Sequence, residues 1–326
     1  MIASSPIKNN YIQMKIYNHI DEFLKIDNAV VTIGTFDGVH FGHQKIISRL
    51  QEIARQKRGE TVILTFFPHP RMILHPEDKA IKLITTIPEK AERLEKLGID
   101  HLIITPFTRD FSNLSPQEYI SNILVDKIGT KHIVIGYDHR FGKDREGGLE
   151  HLQKFSADFG FQVEEIPEQD INDVAVSSTK IRNAIQSGDV KTANNFLGYP
   201  FHLTGKVIKG DQIGRSLGFP TANLFVEETY KLIPADGIYA VNVQINPLLD
   251  EERAFGGMAY IGHRPTINGM SHNIEVNIFD FNEDIYGSVI RINFLDYVRG
   301  DEKFNSLDEL KTQLAKDEIA VRSILV

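Results

Sequence analysis

The sequence contains no cysteine among its 326 residues. Disulfide bonds, thiolate metal sites and cysteine nucleophiles are therefore excluded. No apolar run approaches the ~18–20 residues needed to span a bilayer. The N-terminal stretch up to Met14 also lacks the apolar core of a signal peptide. We therefore expect a cytoplasmic protein that makes no contact with a membrane.

Basic charge is scarce as well, because 36 Lys and Arg residues stand against 44 Asp and Glu residues, for a net charge of −8. Such a balance gives no global positive field, so nucleic acid is not an expected partner. Apolar residues make up 41% and charged residues 25% of the chain, which is an ordinary globular composition. The length is too great for one ordinary domain and suits two.

The first part of the chain, from Ala29 to about Ser187, alternates short apolar runs with segments of helical periodicity. The predicted strands cover residues 29–34, 61–67, 99–105, 132–136 and 161–166. A helix is predicted over 43–56, and Ser115, Pro116 and Glu118 form a capping-box start for another. This alternation predicts a parallel sheet covered on both faces, with ligands at the carboxyl ends of its strands.

The pattern changes after about Phe201, where polar and apolar residues alternate over 238–245, 274–281 and 289–295. Strands of this kind, separated by Gly and Pro turns, indicate an antiparallel sheet or a small barrel. Only the segment 306–316 is plainly helical, with Ser306 as its candidate cap. Gly and Pro near 198–200 mark a boundary, which predicts domains at 1–197 and 198–326.

The strongest local signal is GTFDGVHFGH at residues 34–43, where the first predicted strand meets the first helix. Its glycines allow a sharp turn, and His40 and His43 stand at the helix entry. A helix N-terminus suits a phosphate, and imidazole donors would stabilise charge on a transferring phosphoryl group. Two histidines at this spacing are often unrelated to function. A zinc site is another alternative, although no third ligand is evident.

Three further stretches fall where loops at the sheet edge are expected. They are FFPHP at 66–70, GYDHRFG at 136–142 and VSSTKIR at 176–182. The first two fit ordinary loops equally well, and the hydroxyls of the third fit simple helix caps. Hydroxyls followed by Lys180 and Arg182 would also form a polyphosphate clamp.

The last third carries KVIKGDQIGRSLGFPTAN at residues 206–223, in which glycine recurs every four residues among basic side chains. It contains no Walker signature, and an exposed basic hairpin would look similar. A flexible glycine loop with cations also folds over phosphates. Thr221 and Asn223 offer hard oxygen ligands that suit Mg²⁺ bound with substrate phosphates. Glu275 is either a solvated carboxylate or a general base for an attacking alcohol.

Taken together, these motifs resemble those of the bacterial bifunctional riboflavin kinase/FAD synthetase family. The second half adds LGFPTANL, DGIYAV, GMAYIGHRPTI, IEVNIFDF, DIYGSVIRINFLDYVRGDEKF and SLDELKTQLAKD. The resemblance covers nearly the whole chain from about residue 29. It implies an α/β plus β architecture: a Rossmann-like HxGH nucleotidyltransferase domain, then a six-stranded antiparallel β-barrel with a C-terminal helix.

In the first half, the resemblance implies that His40 and His43 hold ATP phosphates and that Ser178, Thr179 and Arg182 hold the triphosphate. Asp138 and Phe141 would lie near the flavin or adenine, whereas His139 departs from the aromatic residue often found there. The full set of nucleotide-contacting residues expected in this half comprises Gly34, Phe36, Asp37, Gly38, Pro68, His69, Asp138, Phe141, Gly142, Ser177, Ser178, Thr179 and Arg182.

In the second half, the resemblance implies that Thr221 and Asn223 bind Mg²⁺ and that Glu275 is the base acting on the ribityl 5′-hydroxyl. Arg299 would lie beside the flavin. The other residues expected to contact substrate there are Gly210, Gly214, Gly218 and Pro220.

The predicted reactions are phosphorylation of riboflavin to FMN and adenylylation of FMN to FAD, each with ATP. The expected partners are small molecules only: ATP, Mg²⁺, riboflavin, FMN and FAD. Three alternatives stay open: another HxGH transferase, a flavin-binding regulator without activity, and a tRNA synthetase fragment. The sequence gives no indication of the oligomeric state.

Overall fold

A computed structural model describes residues 13–77, 81–168, 176–210, 213–247, 253–266 and 269–325. The chain forms two compact units. The first comprises Met1–Ile81 and Ile87–Ala175, and the second comprises Lys82–Thr86 and Val176–Val326. The second unit therefore contains the helices that follow Val176 as well as the barrel. The functional division at 197/198 stays a prediction.

The first unit is built on a six-stranded sheet with the order β1-β4-β3-β2-β5-β6. Its strands are β1 Lys15–Tyr17, β2 Ala29–Ile33, β3 Glu60–Phe66, β4 His101–Thr105, β5 Thr130–Gly136 and β6 Gln162–Ile166. All neighbouring pairs are parallel. Every residue of the central strand β2 is buried, as expected for a sheet that is covered on both faces. The predicted parallel sheet is thus confirmed, with β1 as a strand that was not predicted.

Helices cover this sheet. They are α1 Phe41–Lys57, α2 Pro70–Leu74, α3 Ile87–Lys96, α4 Arg109–Ser112, α5 Pro116–Glu118 and α6 Leu149–Phe159, with 3₁₀ turns at Ile20–Glu22 and Lys143–Arg145. The start of α5 has the expected capping box between Ser115 and Glu118. The helix continues as a π-helix, Tyr119–Ile128, and ends at Gly129 in the left-handed conformation. Two separate apolar clusters use alternate residues of the strands and so bury both faces of the sheet.

The second unit contains a closed barrel with the strand order β10-β11-β8-β7-β12-β9. Its strands are β7 His202–Ile208, β8 Ala222–Phe225, β9 Gly237–Ile245, β10 Arg253–Thr266, β11 Gly269–Ile278 and β12 Val289–Arg299. Neighbouring strands are antiparallel. The helices of this unit are α7 Ser178–Gln186, α8 Val190–Leu197, α9 Ile213–Leu217 and α10 Leu307–Ile324. The six-stranded antiparallel barrel is confirmed.

The C-terminal helix α10 packs on the barrel through Val321, which joins a buried cluster with Ile238, Ala240 and Met258. The Ser306 hydroxyl accepts a hydrogen bond from the Glu309 N–H at 3.2 Å, so the predicted cap is confirmed. The helix runs eight residues past the predicted end at 316, to Ile324. In the described ranges of the chain, no helix combines the length and the apolar character that crossing a membrane requires.

Two candidate active sites

The two histidines of the first motif lie at the entry of α1. His40 is the N-cap, with extended backbone, and His43 lies in the first turn. Their rings stack with centroids 3.7 Å apart and planes inclined by 18°. The first turn of α1 carries no acidic side chain, so nothing within it offsets the positive end of the helix dipole. The geometry therefore suits an anion held over the helix.

Both rings are largely removed from water. His40 is 6% exposed. Burial, followed by the neighbouring His40 and Lys90, holds the pKa of His43 well below its usual value. Among the residues that the structure describes, no hydrogen-bond partner reaches the buried Nδ1 of His43. His43 is consequently neutral at pH 7, and a neutral imidazole offers one N–H donor and one acceptor.

The turn that precedes α1 has an unusual backbone. Phe36 and Val39 have positive φ values of 47° and 39°, and Gly38 has a φ of 84°. A positive φ is costly for a β-branched or bulky residue and often marks a functional turn. The Phe36 ring packs on His43 at 5.0 Å between centroids. Asp37, also predicted to contact nucleotide, is 1% exposed.

A buried lysine lies beneath this turn. Lys90 in α3 is 3% exposed, and its Nζ donates to the Thr35 carbonyl at 2.7 Å and lies 3.5 Å from the Thr65 hydroxyl. Burial lowers the pKa of Lys90 to about 8, a shift that Asp37 partly opposes. The ammonium thus anchors the turn from the side opposite the solvent.

Sequence reasoning missed Lys90. A signal was present, because Lys90 lies on the same stripe of α3 as the apolar residues Ile87, Ala91 and Leu94. A lysine in such a position is either extended towards solvent or paired inside the protein.

The loop that follows β3 places His69 as the N-cap of α2, where its Nδ1 accepts the Arg71 N–H at 3.2 Å. Pro68, directly before it, is half-buried. These two residues therefore shape the start of a short helix. Their predicted contact with nucleotide stays a prediction.

The loop that follows β5 presents one buried and one exposed site residue. Phe141 is buried and packs on Tyr119 at 5.0 Å between centroids, whereas Asp138 is exposed in a turn. Gly142 has a φ of 71°, which favours glycine. His139 stacks on Phe141 at 5.8 Å, and burial lowers the pKa of His139 to about 4. It therefore acts as a neutral aromatic ring in place of the expected aromatic residue.

The VSSTKIR segment belongs to the second compact unit and begins α7. The Ser177 hydroxyl accepts the Lys180 N–H at 3.3 Å, so Ser177 is the N-cap that the sequence allowed as an alternative. Ser178 and Thr179 form the first turn. Arg182 donates from Nε to the Lys82 carbonyl at 3.0 Å.

The barrel brings Glu275 to Thr221 and Asn223, although Thr221 lies 54 residues earlier in the chain. The Thr221 hydroxyl donates to Oε2 of Glu275 at 2.9 Å. Asn223 is the register partner of Glu275 in the β8–β11 pair and is 9% exposed. The candidate base and both candidate metal ligands therefore form one cluster.

Gly210 borders this cluster, and two further glycines of the motif are required by close backbone approach or by a positive φ. A Cβ at Gly210 would lie 2.3 Å from the Asn223 amide, and one at Gly214 would lie 2.3 Å from the Phe219 carbonyl. Gly218 has a φ of 89°. The expected flexible loop is wrong in part, since Ile213–Leu217 is helical. Asp211 and Gln212 of the motif lie outside the described residues.

Two asparagines of β11 were missed as site residues. Asn273 donates from Nδ2 to Oε1 of Glu275 at 2.8 Å, and Asn277 donates to the Pro220 carbonyl at 2.7 Å. They stand two positions before and after Glu275, so the alternation of the strand was the available signal.

Arg299 is held by the C-terminal helix. Its Nε donates to Oδ1 of Asp317 at 2.9 Å and its Nη2 to Oδ2 at 2.7 Å. Nη1 donates to the Gly300 carbonyl at 2.9 Å. The side chain of Asp317 is 3% exposed and that of Arg299 is 17% exposed. The guanidinium is therefore fixed within the unit, and its flavin contact stays a prediction.

Two family models match this chain, one in each half. The family model for FAD synthetase matches residues 24–180, and that for riboflavin kinase matches residues 197–325. A bifunctional riboflavin kinase/FMN adenylyltransferase from Listeria monocytogenes is 42% identical over 93% of this chain and 94% of its own length. Proteins with the same name from Escherichia coli and Bacillus subtilis are 37% and 36% identical over 91% and 92% of this chain. They are matched over 92% and 94% of their own lengths.

A solved structure shares the whole fold. It is described as a macrolide-efflux protein from Streptococcus pneumoniae and is 34% identical, with a TM-score of 0.85 over 95% of this chain and 99% of that one. Its description names a different activity from that of the sequence relatives. Both family matches of this chain agree with the relatives instead.

Proposed function

We infer that this chain, which belongs to the bifunctional riboflavin kinase/FMN adenylyltransferase family, makes FAD in two ATP-dependent steps. Riboflavin and ATP give FMN and ADP; FMN and ATP give FAD and pyrophosphate. The observation that carries this function is the presence of two separate clusters, one in each compact unit. The stacked imidazoles lie at the start of α1, and Glu275 is bonded to Thr221 in the barrel.

Adenylylation needs alignment more than proton transfer. A phosphate oxygen of FMN attacks the α-phosphorus of ATP, a new P–O bond forms, and pyrophosphate leaves with the electrons of the broken bond. The attacking oxygen is already anionic at neutral pH, so the site needs no strong base. We propose that His40 and neutral His43 donate hydrogen bonds to phosphate oxygens, alongside the free N–H groups of α1.

Phosphorylation of riboflavin uses an alcohol, which does need a base. We propose that Glu275 accepts the proton of the ribityl 5′-hydroxyl. The oxygen of that hydroxyl then attacks the γ-phosphorus of ATP, and ADP leaves. The hydrogen bond from Thr221 to Oε2 orients the carboxylate. Riboflavin would lie beside Arg299.

The cluster around Thr221 and Asn223 fits a divalent cation by its donor chemistry. A hydroxyl and an amide oxygen are hard ligands, and the Thr221 proton is already directed to Glu275, which leaves the lone pairs of Thr221 for other partners. We propose that these two residues hold Mg²⁺ with ATP. The ion would neutralise phosphate charge.

We also propose that the other predicted first-unit residues contact ATP or FMN, and that Ser178, Thr179 and Arg182 contact phosphates. Small molecules are the proposed partners, without nucleic acid or membrane, and the cytoplasm is the proposed location.

The test uses two variants in the full chain, with riboflavin, ATP and Mg²⁺, or FMN, ATP and Mg²⁺, and chromatographic separation of the flavins. His43→Ala abolishes FAD formation and leaves FMN formation intact. Glu275→Gln abolishes FMN formation from riboflavin and leaves FAD formation from FMN intact. The matched controls are His75→Ala and Glu227→Gln, at exposed positions, which leave both activities intact.

Loss of both activities in either variant, with the fold preserved by circular dichroism, contradicts two separate sites. If the unmodified chain forms neither FMN nor FAD, the proposed function is wrong.

A further inference from the structure

Glu275 stands in the middle of a polar row on β11. Side chains alternate along a strand, so Asn273, Glu275 and Asn277 share one face. The residues between them, Ile274 and Val276, are buried on the other face. Polar groups that stand between buried residues need partners, and all three of these side chains form hydrogen bonds.

Both oxygens of the Glu275 carboxylate accept a hydrogen bond from a side chain. Oε2 accepts from the Thr221 hydroxyl at 2.9 Å, and Oε1 accepts from Nδ2 of Asn273 at 2.8 Å. Two donors on opposite oxygens fix the plane of the carboxylate.

Tyr260 lies on the neighbouring strand β10, directly opposite Glu275. In the β10–β11 pair, Tyr260 is the partner of Glu275 and Gly262 is the partner of Asn273. A Cβ at Gly262 would lie 2.0 Å from the Tyr260 hydroxyl, so the tyrosine ring extends over the glycine. Because Gly262 has no side chain, the Tyr260 ring has room over it, next to the strand that carries Asn273 and Glu275.

We propose that Asn273 is a positioning residue of the kinase reaction, whose amide holds the Glu275 carboxylate at the angle needed to accept the ribityl proton. This inference rests on the proposed function, because it requires Glu275 to be the base. Asn273 acts through Glu275 and has no contact with substrate in this scheme. Its removal therefore lowers kcat and leaves the KM values for riboflavin and ATP unchanged.

The experiment measures steady-state kinase kinetics in the full chain for Asn273→Ala and Asn273→Asp, each alone and combined with Glu275→Gln. A positioned general base contributes ~10²–10⁴-fold to a rate, so loss of its orientation alone is expected to lower kcat by about 10-fold. Asn273→Asp keeps the shape but removes the donor and adds a like charge, so its kcat falls further. FMN adenylylation on the same chain serves as the internal control.

The double variants separate positioning from a general structural role. If Asn273 acts only through the base, neither substitution lowers the residual activity of Glu275→Gln any further. Asn293→Ala is the matched amide truncation, because its Nδ2 contacts in the barrel are both long, at 3.4 Å. It leaves kcat unchanged.

Three results overturn the inference: a normal kcat in both Asn273 variants, a change confined to KM, or an equal loss in the presence and absence of Glu275. If Asn273→Ala fails to fold, Asn273→Asp decides the question alone. If Glu275→Gln itself keeps full kinase activity, the assignment of the base is wrong instead.

Discussion

The buried ammonium of Lys90 predicts a specific pH dependence of stability. The pKa of Lys90 is about 8 in the folded protein, against an ordinary value of 10.5. Below pH 8 both the folded and the unfolded chain carry this proton. Between the two values the unfolded chain binds more protons, so the free energy of unfolding rises with pH.

The size of the effect follows from the shift of the pKa. At ~1.4 kcal/mol for each pH unit, the full rise between pH 8 and 10.5 is about 3 kcal/mol, and the part between pH 7.5 and 9.5 is about 2 kcal/mol. Lys90 is 3% exposed, so screening by solvent reduces this free-energy change very little. Methionine has similar length and no charge, and Lys90→Met therefore removes this rise.

The assay is urea unfolding followed by circular dichroism at pH 7.5 and pH 9.5. The comparison of the two proteins cancels the titration of all other groups. Lys96→Met in the same helix is the control, because Lys96 is exposed and pairs with Glu92 on the surface. This variant is expected to keep the rise of the unmodified protein. If Lys90→Met gains as much stability between the two pH values as the unmodified chain does, the ammonium is not buried in the way described.

Three other substitutions test separate contacts. Asp317→Asn removes the buried carboxylate charge that Arg299 contacts and is expected to destabilise the second unit by about 2–3 kcal/mol, as measured by urea unfolding. Gly210→Ala places a methyl group against the Asn223 amide, so kinase activity falls at least ~10-fold in the flavin assay while adenylylation is retained. Ser306→Ala removes the cap of α10 and lowers the free energy of unfolding by about 1 kcal/mol. Unchanged values in these assays contradict the corresponding contact.

The parallel sheet could be predicted because its central strands are continuous apolar runs, of which Ala29–Ile33 is the clearest. The strand Lys15–Tyr17 could not be predicted, since it has only three residues and two of them are exposed. The helix Ile213–Leu217 was not predicted either, because the regularly spaced glycines around it favoured a loop. Short elements like these depend on their neighbours in space more than on local periodicity.

The first candidate site was predictable where its residues are adjacent in the chain, as His40 and His43 are. Lys90 was not, because its partner Thr35 lies 55 residues earlier. The contact of Asn273 with Glu275 is local, at a separation of two residues, yet only the structure shows that Thr221 bonds the other oxygen of the same carboxylate. Contacts of this kind depend on the register between strands, which a single sequence does not specify.

The closed barrel and the open sheet differ in whether they can pair with a strand from another molecule. Every strand of the barrel has two neighbours, so the barrel presents no free edge that could recruit a strand from another molecule. The open sheet of the first unit ends instead in β1 and β6. β6 carries Glu164 and Glu165, and Glu164 is tied to Arg49. Charged side chains on a terminal strand discourage edge-to-edge association, so replacing these two carboxylates would expose the protein to aggregation through this one strand.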